Sequence, residues 1–156
     1  LKKNLIDCTG EIDDLALCHM GIEELLPLSA DTFWDSINKR HQEKGGVYKI
    51  IAVSGGKRVP VNRFLGTDDE GVLYIGKATS FLSRVIDLKK SISPAHNGSA
   101  HICGRRYKSL PKIAEHFPFE MLQIELIPSD TPEVLEGLLL DTYRHRYGEV
   151  PPLNAI

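Results

Sequence analysis

KGGVYKIIAVSGGKRVPVNRFLGTDDEGVLYIGKA, residues 44–78, decides how the chain is read. Its two ends, GGVYKIIAV and GVLYIGKA, are apolar runs rich in Val, Ile and Tyr with glycines at their borders, so each is expected to be a strand. The middle, SGGKRVPVNRFLGTDDEG, is dense in Gly, Pro, Asp and Asn and reads as a turn-containing connection. The expected product is an antiparallel pair with a long insert at about residues 54–71 and one central tyrosine per strand, Tyr48 and Tyr74.

Outward from this pair, Ser29 or Asp31 is placed to cap a helix through TFWDSINKRHQEK, with Phe33, Trp34 and Ile37 on one side. Thr79 or Ser80 is placed to cap another through FLSRVIDLKKSIS, closed by Pro94. The segment from Pro94 to His101 is loop-like, and CGRRYKSLPKIAEHF begins as loop and becomes a short helix. FEMLQIELI alternates as a third strand. Thr131, Pro132 and Glu133 then start a last helix, DTPEVLEGLLLDTYRHRYG, which Gly148 ends. The class is α+β: a small, mostly antiparallel three-stranded sheet flanked by helices. Residues 1–45 are expected to be an N-terminal extension packed on a core formed by residues 46–156.

The 156 residues suit one domain, and 42% hydrophobic with 26% charged content excludes a disordered or fibrous chain. No apolar run reaches the roughly 18–20 residues needed to span a bilayer, and LKKNLIDCTGEIDD lacks the apolar core of a signal peptide. The chain begins at Leu1 rather than Met, as a trimmed chain would. Three cysteines, Cys8, Cys18 and Cys103, do not make a disulfide framework and fit a reducing, cytoplasmic interior. Nor do they show the paired short spacings of a structural zinc site, with or without His19.

The net charge of −2 argues against nucleic acid, but its distribution does not. Residues 1–35 carry eight acids and two bases, whereas residues 77–112 carry eight bases against Asp87 alone. A local excess of that size can meet phosphates on an acidic protein.

Glu136 is unusual because its neighbours on the helix surface are Pro132, Leu139, Leu140 and Tyr143. A carboxylate there calls for a cationic partner or a divalent metal. Gly137 beside it would admit a closely approaching element. Taken singly, Arg84 and Lys77 read as surface cations, Tyr48 and Tyr74 as packing tyrosines, Asn154 as a turn residue, and His96 and His101 as solvent-facing loop residues.

Together they read differently. Gly46-Val47-Tyr48 and Tyr74-Ile75-Gly76, then Lys77, Arg84 in YIGKATSFLSR, Glu136 and the Leu-Asn of PPLN ending at Asn154, resemble the GIY-YIG nuclease family over residues 46–156. The 25 residues between Tyr48 and Tyr74 exceed the family's usual separation. With no recognisable second domain after the core, the layout is most similar to the compact, restriction-type members, and HICGRR resembles their histidine-containing loop. The resemblance implies a DNA endonuclease with one Mg²⁺ (or Mn²⁺) per active site, held by Glu136. It implies Tyr48 as general base, Lys77 and Arg84 as cations at the phosphate, and Tyr74, His101 and Asn154 as supporting groups. DNA contacts are expected from Lys57, Arg58 and Arg63 in the insert and from Arg105, Arg106 and Lys108. A repair or mobile-element nuclease, or a non-cleaving module that binds DNA or protein, remains the alternative. Compact family members often cut as dimers, so a homodimer is compatible with the resemblance.

Overall fold

A computed structural model describes residues 25–41, 43–97 and 100–155. The expectations for residues 1–24, including any metal site built on Cys8, Cys18 and His19, lie outside them.

The sheet forms around strand β2 (Gly46–Ser54). On one side it pairs antiparallel with β6 (Val72–Ala78), and on the other with β7 (Leu122–Pro128). These are the three strands expected from sequence, but the sheet has five. A two-residue strand, β1 (Leu26–Pro27), extends the β7 edge, and β3 (Lys57–Arg58) folds back on the end of β2. Both additions are too short to leave a period in the sequence, and Pro27 suits only an edge. The insert between β2 and β6 continues as a hairpin, β4 (Val61–Arg63) with β5 (Gly66–Asp68).

The β2 residues are nearly all buried, because helices cover both faces of the sheet. That is why its pattern is a continuous apolar run rather than an alternation. One face carries Tyr48, Ile50 and Ala52, packed with α1 (Phe33–His41) and α2 (Phe81–Ile92). The opposite face carries Val47, Val72, Ile75 and Ile127, covered by Leu139, Tyr143 and Tyr147 of the long C-terminal helix α5 (Pro132–Tyr147). Gly148 ends α5 in the left-handed region at φ 76°, as expected.

The helix starts depart from the sequence expectation. Helix α1 begins at Phe33, with Ser36 N–H bonded to Thr32 O, so neither Ser29 nor Asp31 caps it. Ser80 and Thr131 stand at the N-cap positions of α2 and α5, yet neither side chain makes a capping bond. Residues 102–116 form two helices rather than a loop and one helix: α3 (Ile102–Ser109) and α4 (Pro111–His116). Pro111 marks this boundary, since its fixed φ suits the first turn of a new helix.

Candidate functional site

The register of β2 on β6 places Tyr48 opposite Gly76 and Ile50 opposite Tyr74. The two tyrosines are therefore diagonal neighbours on one sheet face, within reach of each other for long side chains. Their ring centroids lie 6.0 Å apart. Gly76 makes this possible: a Cβ there would lie 2.7 Å from Tyr48 Oη and 2.6 Å from Tyr74 Cε1. Asn154 locks the strand that carries them. Its Oδ1 accepts from Ile75 N–H at 2.9 Å and its Nδ2 donates to Ile75 O at 2.8 Å, so a side chain from the C-terminal segment pairs with β6 as another strand would.

The third member is His101, fully buried and not a solvent-facing loop residue. It stands at the N-cap of α3, where its Nδ1 accepts from Cys103 N–H at 3.1 Å, and its own N–H donates to Ser91 Oγ at 3.0 Å. Gly104 brings α3 onto α2, since a Cβ there would sit 2.3 Å from Ser91 Cβ. The cap fixes the tautomer. With Nδ1 accepting, the neutral imidazole carries its proton on Nε2, and that proton is donated to Tyr48 Oη at 2.7 Å. His101 therefore cannot take a proton from Tyr48; it holds the phenol oxygen and stabilises negative charge there.

Burial, the neighbouring Tyr74 and the closeness of Cys103 push the Tyr48 phenol far above its ordinary value, against the opposing charge and hydrogen bonding of Arg84. Tyr74 is pushed up to about 12, chiefly by burial, with Arg84 again opposing. Arg84 favours the anionic form of both phenols, but burial outweighs it. Lys77 instead pairs with Glu136 at 3.4 Å. This answers the puzzle of Glu136 on an apolar helix face: it reaches across to β6, where its charge also acts on Tyr74. Gly137 plays no part in close packing, for nothing lies within 4 Å of a Cβ placed there.

His101 is held down to about 4, by burial first and then by the Arg84 charge, with Asp87 opposing. An unfolded histidine titrates near 6.5, so between roughly pH 6.5 and 4 the unfolded chain binds the extra proton. The stability due to neutral His101 is thus complete above about pH 6.5 and lost as pH falls towards 4. A loss of about 2 kcal/mol is expected over this window, allowing for screening of the exposed Arg84. Urea midpoints at pH 7 and pH 4.5 measure it, and His101→Gln should remove this part of the pH dependence.

The structure thus brings Tyr48, Tyr74 and His101 together, with Arg84 beside the phenols. Lys77, opposite Val47, pairs with Glu136 on the face of the sheet that α5 covers, and the Glu136 charge is the weakest of the influences on Tyr74. Asn154 supports the group through the backbone. Ser91 and Gly104, which seat His101, were missed from sequence because the segment holding Gly104 reads as loop.

The expected DNA contacts divide. Lys57, Arg105 and Lys108 are exposed, and Lys108 reaches back to His96 O at 2.6 Å. Arg58 is held between Glu70 at 2.9 Å and Glu125 at 3.5 Å, and Glu125 is buried and also pairs with Lys49 at 3.1 Å. Arg63 donates to Val150 O at 2.6 Å and pairs with Glu149 at 3.1 Å. Those two arginines fasten the insert to the core. Arg106 is half-buried.

Among the described residues, no three or more His, Cys, Asp or Glu side chains cluster as a metal cage. A single partly exposed carboxylate such as Glu136 nevertheless suits Mg²⁺, which keeps several waters and shares its sites with substrate phosphates. No helix among them is long and apolar enough to cross a membrane. Comparison with protein-family models, curated proteins and solved structures found no match.

Proposed function

We propose that the chain is a Mg²⁺-dependent DNA endonuclease of the GIY-YIG type, restriction-like in its compact layout and acting in the cytoplasm. The observation that carries this reading is the buried Tyr48–His101–Tyr74 group with Arg84 beside it. Phosphodiester hydrolysis needs a proton taken from water, positive charge at the phosphoryl oxygens and help for the leaving 3′ oxygen.

Tyr48 Oη is the base. His101 Nε2–H and Arg84 both favour its anionic form, and they oppose a burial effect that leaves the phenolate scarce but strongly basic. Arg84, exposed at the edge of the cluster, supplies charge to the phosphate, and Lys77, paired with Glu136 at 3.4 Å, would add a second positive charge there. Glu136 would hold the divalent ion, which when bound would supply Lewis-acid stabilisation of developing negative charge. Tyr74 lines the site and orients the groups above it.

Incubation of the purified chain with supercoiled plasmid tests the reading. Nicked or linear product is expected with Mg²⁺ or Mn²⁺ and none with EDTA. DNA binding without metal-dependent cutting would instead mark a non-cleaving module on the same fold. Sequencing the ends separates a fixed recognition site from structure-selective repair cutting.

A further inference from the structure

Behind Asn154, the hairpin, α3 and the end of α5 border an open cavity of about 250 Å³ lined by Arg63, Arg106, Arg144, Glu149, the stretch from Val150 to Pro152 and Asn154. Three arginines and a single acid, Glu149, thus share its wall. Arg63 satisfies that carboxylate and Val150 O with one terminal nitrogen. Its Nε–H is buried without an acceptor, although the side chain is only 9% exposed. Arg106 Nε–H is buried without an acceptor as well. Two orphaned donors on side chains that line one small, positively charged cavity are costly, since each forfeits a hydrogen bond it would make in water, and the cations repel. An oxyanion would answer both costs at once, because guanidinium groups match tetrahedral oxyanions with charge-assisted bonds.

The geometry points to this cavity as a phosphate-binding subsite, occupied by a backbone phosphate of the bound DNA beyond the one that is cut. The assignment to DNA rests on the nuclease reading. The position favours it: the cavity shares Asn154 with the tyrosine cluster, and Arg106 lies on the helix that His101 caps. The volume suits a phosphodiester group better than a whole nucleotide, since sites for larger ligands run from roughly 300 Å³ upward. Arg63 also gains a second role, holding the insert in place while lining the cavity with its guanidinium.

Two measurements on the full chain test this. In ¹H–¹⁵N spectra, titrating inorganic phosphate should shift the Nε–H resonances of Arg63 and Arg106, and Arg144→Gln should weaken that response. DNA binding in Ca²⁺, followed against salt, should show a log K–log[salt] slope shallower by about 1 in Arg106→Gln and in Arg144→Gln. Lys112→Gln, which removes the same charge from an exposed pair with Glu115, serves as control and should leave the slope unchanged. Unshifted Nε–H resonances would overturn the subsite, and shifted resonances with wild-type slopes would overturn its assignment to DNA. The phosphate titration uses the wild-type chain, so it stands even if a variant misfolds. Loss of plasmid cutting with both signals intact would fall on the nuclease reading alone.

Discussion

Tyr48→Phe is expected to cut plasmid DNA about 10³-fold more slowly than the wild-type chain, within the 10²–10⁴ range typical of a lost general base. The substitution keeps the ring, its place among the core residues and its packing against Tyr74 and His101. It removes only Oη, and with it the acceptor for His101 Nε2–H at 2.7 Å. Losing that buried hydrogen bond costs about 1–3 kcal/mol of stability, so urea unfolding must accompany the kinetics. A folded, DNA-binding variant with full activity would remove Tyr48 from the chemistry. The wild-type pH profile gives an independent check. Burial holds the phenol above its ordinary value, so the phenolate fraction should rise about tenfold per unit from roughly pH 7 to 9, and the single-turnover rate with it. A flat profile would mean that another group takes the proton.

The strands bearing the two tyrosines were legible because β-branched and aromatic residues bounded by glycines leave a strong local signature. Their meeting was not legible. It depends on register, which sets Tyr48 opposite Gly76, and a one-residue slip would have sent one ring to the other face. His101 was misjudged as solvent-facing because its surroundings, PAHNGSAHICGRR, are polar and loop-like. Burial came from a distant cause, the seating of α3 on α2 through Gly104 and Ser91. Charge alone marked Arg58 and Arg63 as phosphate contacts but could not show their acidic partners, Glu70, Glu125 and Glu149, which lie up to 86 residues away in sequence. Residue type announced which groups can do chemistry; the side-chain pairings that direct them are long-range and leave no local trace.

Gly76→Ala should be among the most damaging single-methyl changes in the chain, and Gly137→Ala one of the mildest. At Gly76 the new Cβ would fall 2.7 Å from Tyr48 Oη, 2.8 Å from Tyr48 Cζ and 2.6 Å from Tyr74 Cε1. An aromatic ring at a side chain's free end can usually yield, but Tyr48 is fully buried and tied to His101. Relief must come from breaking that hydrogen bond or from shifting β6 on β2. Overpacking of this kind costs about 1–3 kcal/mol. Displacing a reacting group by about 1 Å can cost 10²-fold in rate, so cleavage should fall at least that far while the chain still folds. At Gly137, one residue from Glu136, the same methyl meets nothing within 4 Å and replaces a poor helix former inside α5. A gain of about 0.5–1 kcal/mol is expected there with cleavage unchanged. The pair separates two accounts of the site. If Gly76 matters only because strands dislike disruption, its stability and rate losses should be commensurate. If it matters because it lets the phenols converge, the rate should collapse while most of the stability survives, and the tyrosine ultraviolet difference spectrum should change.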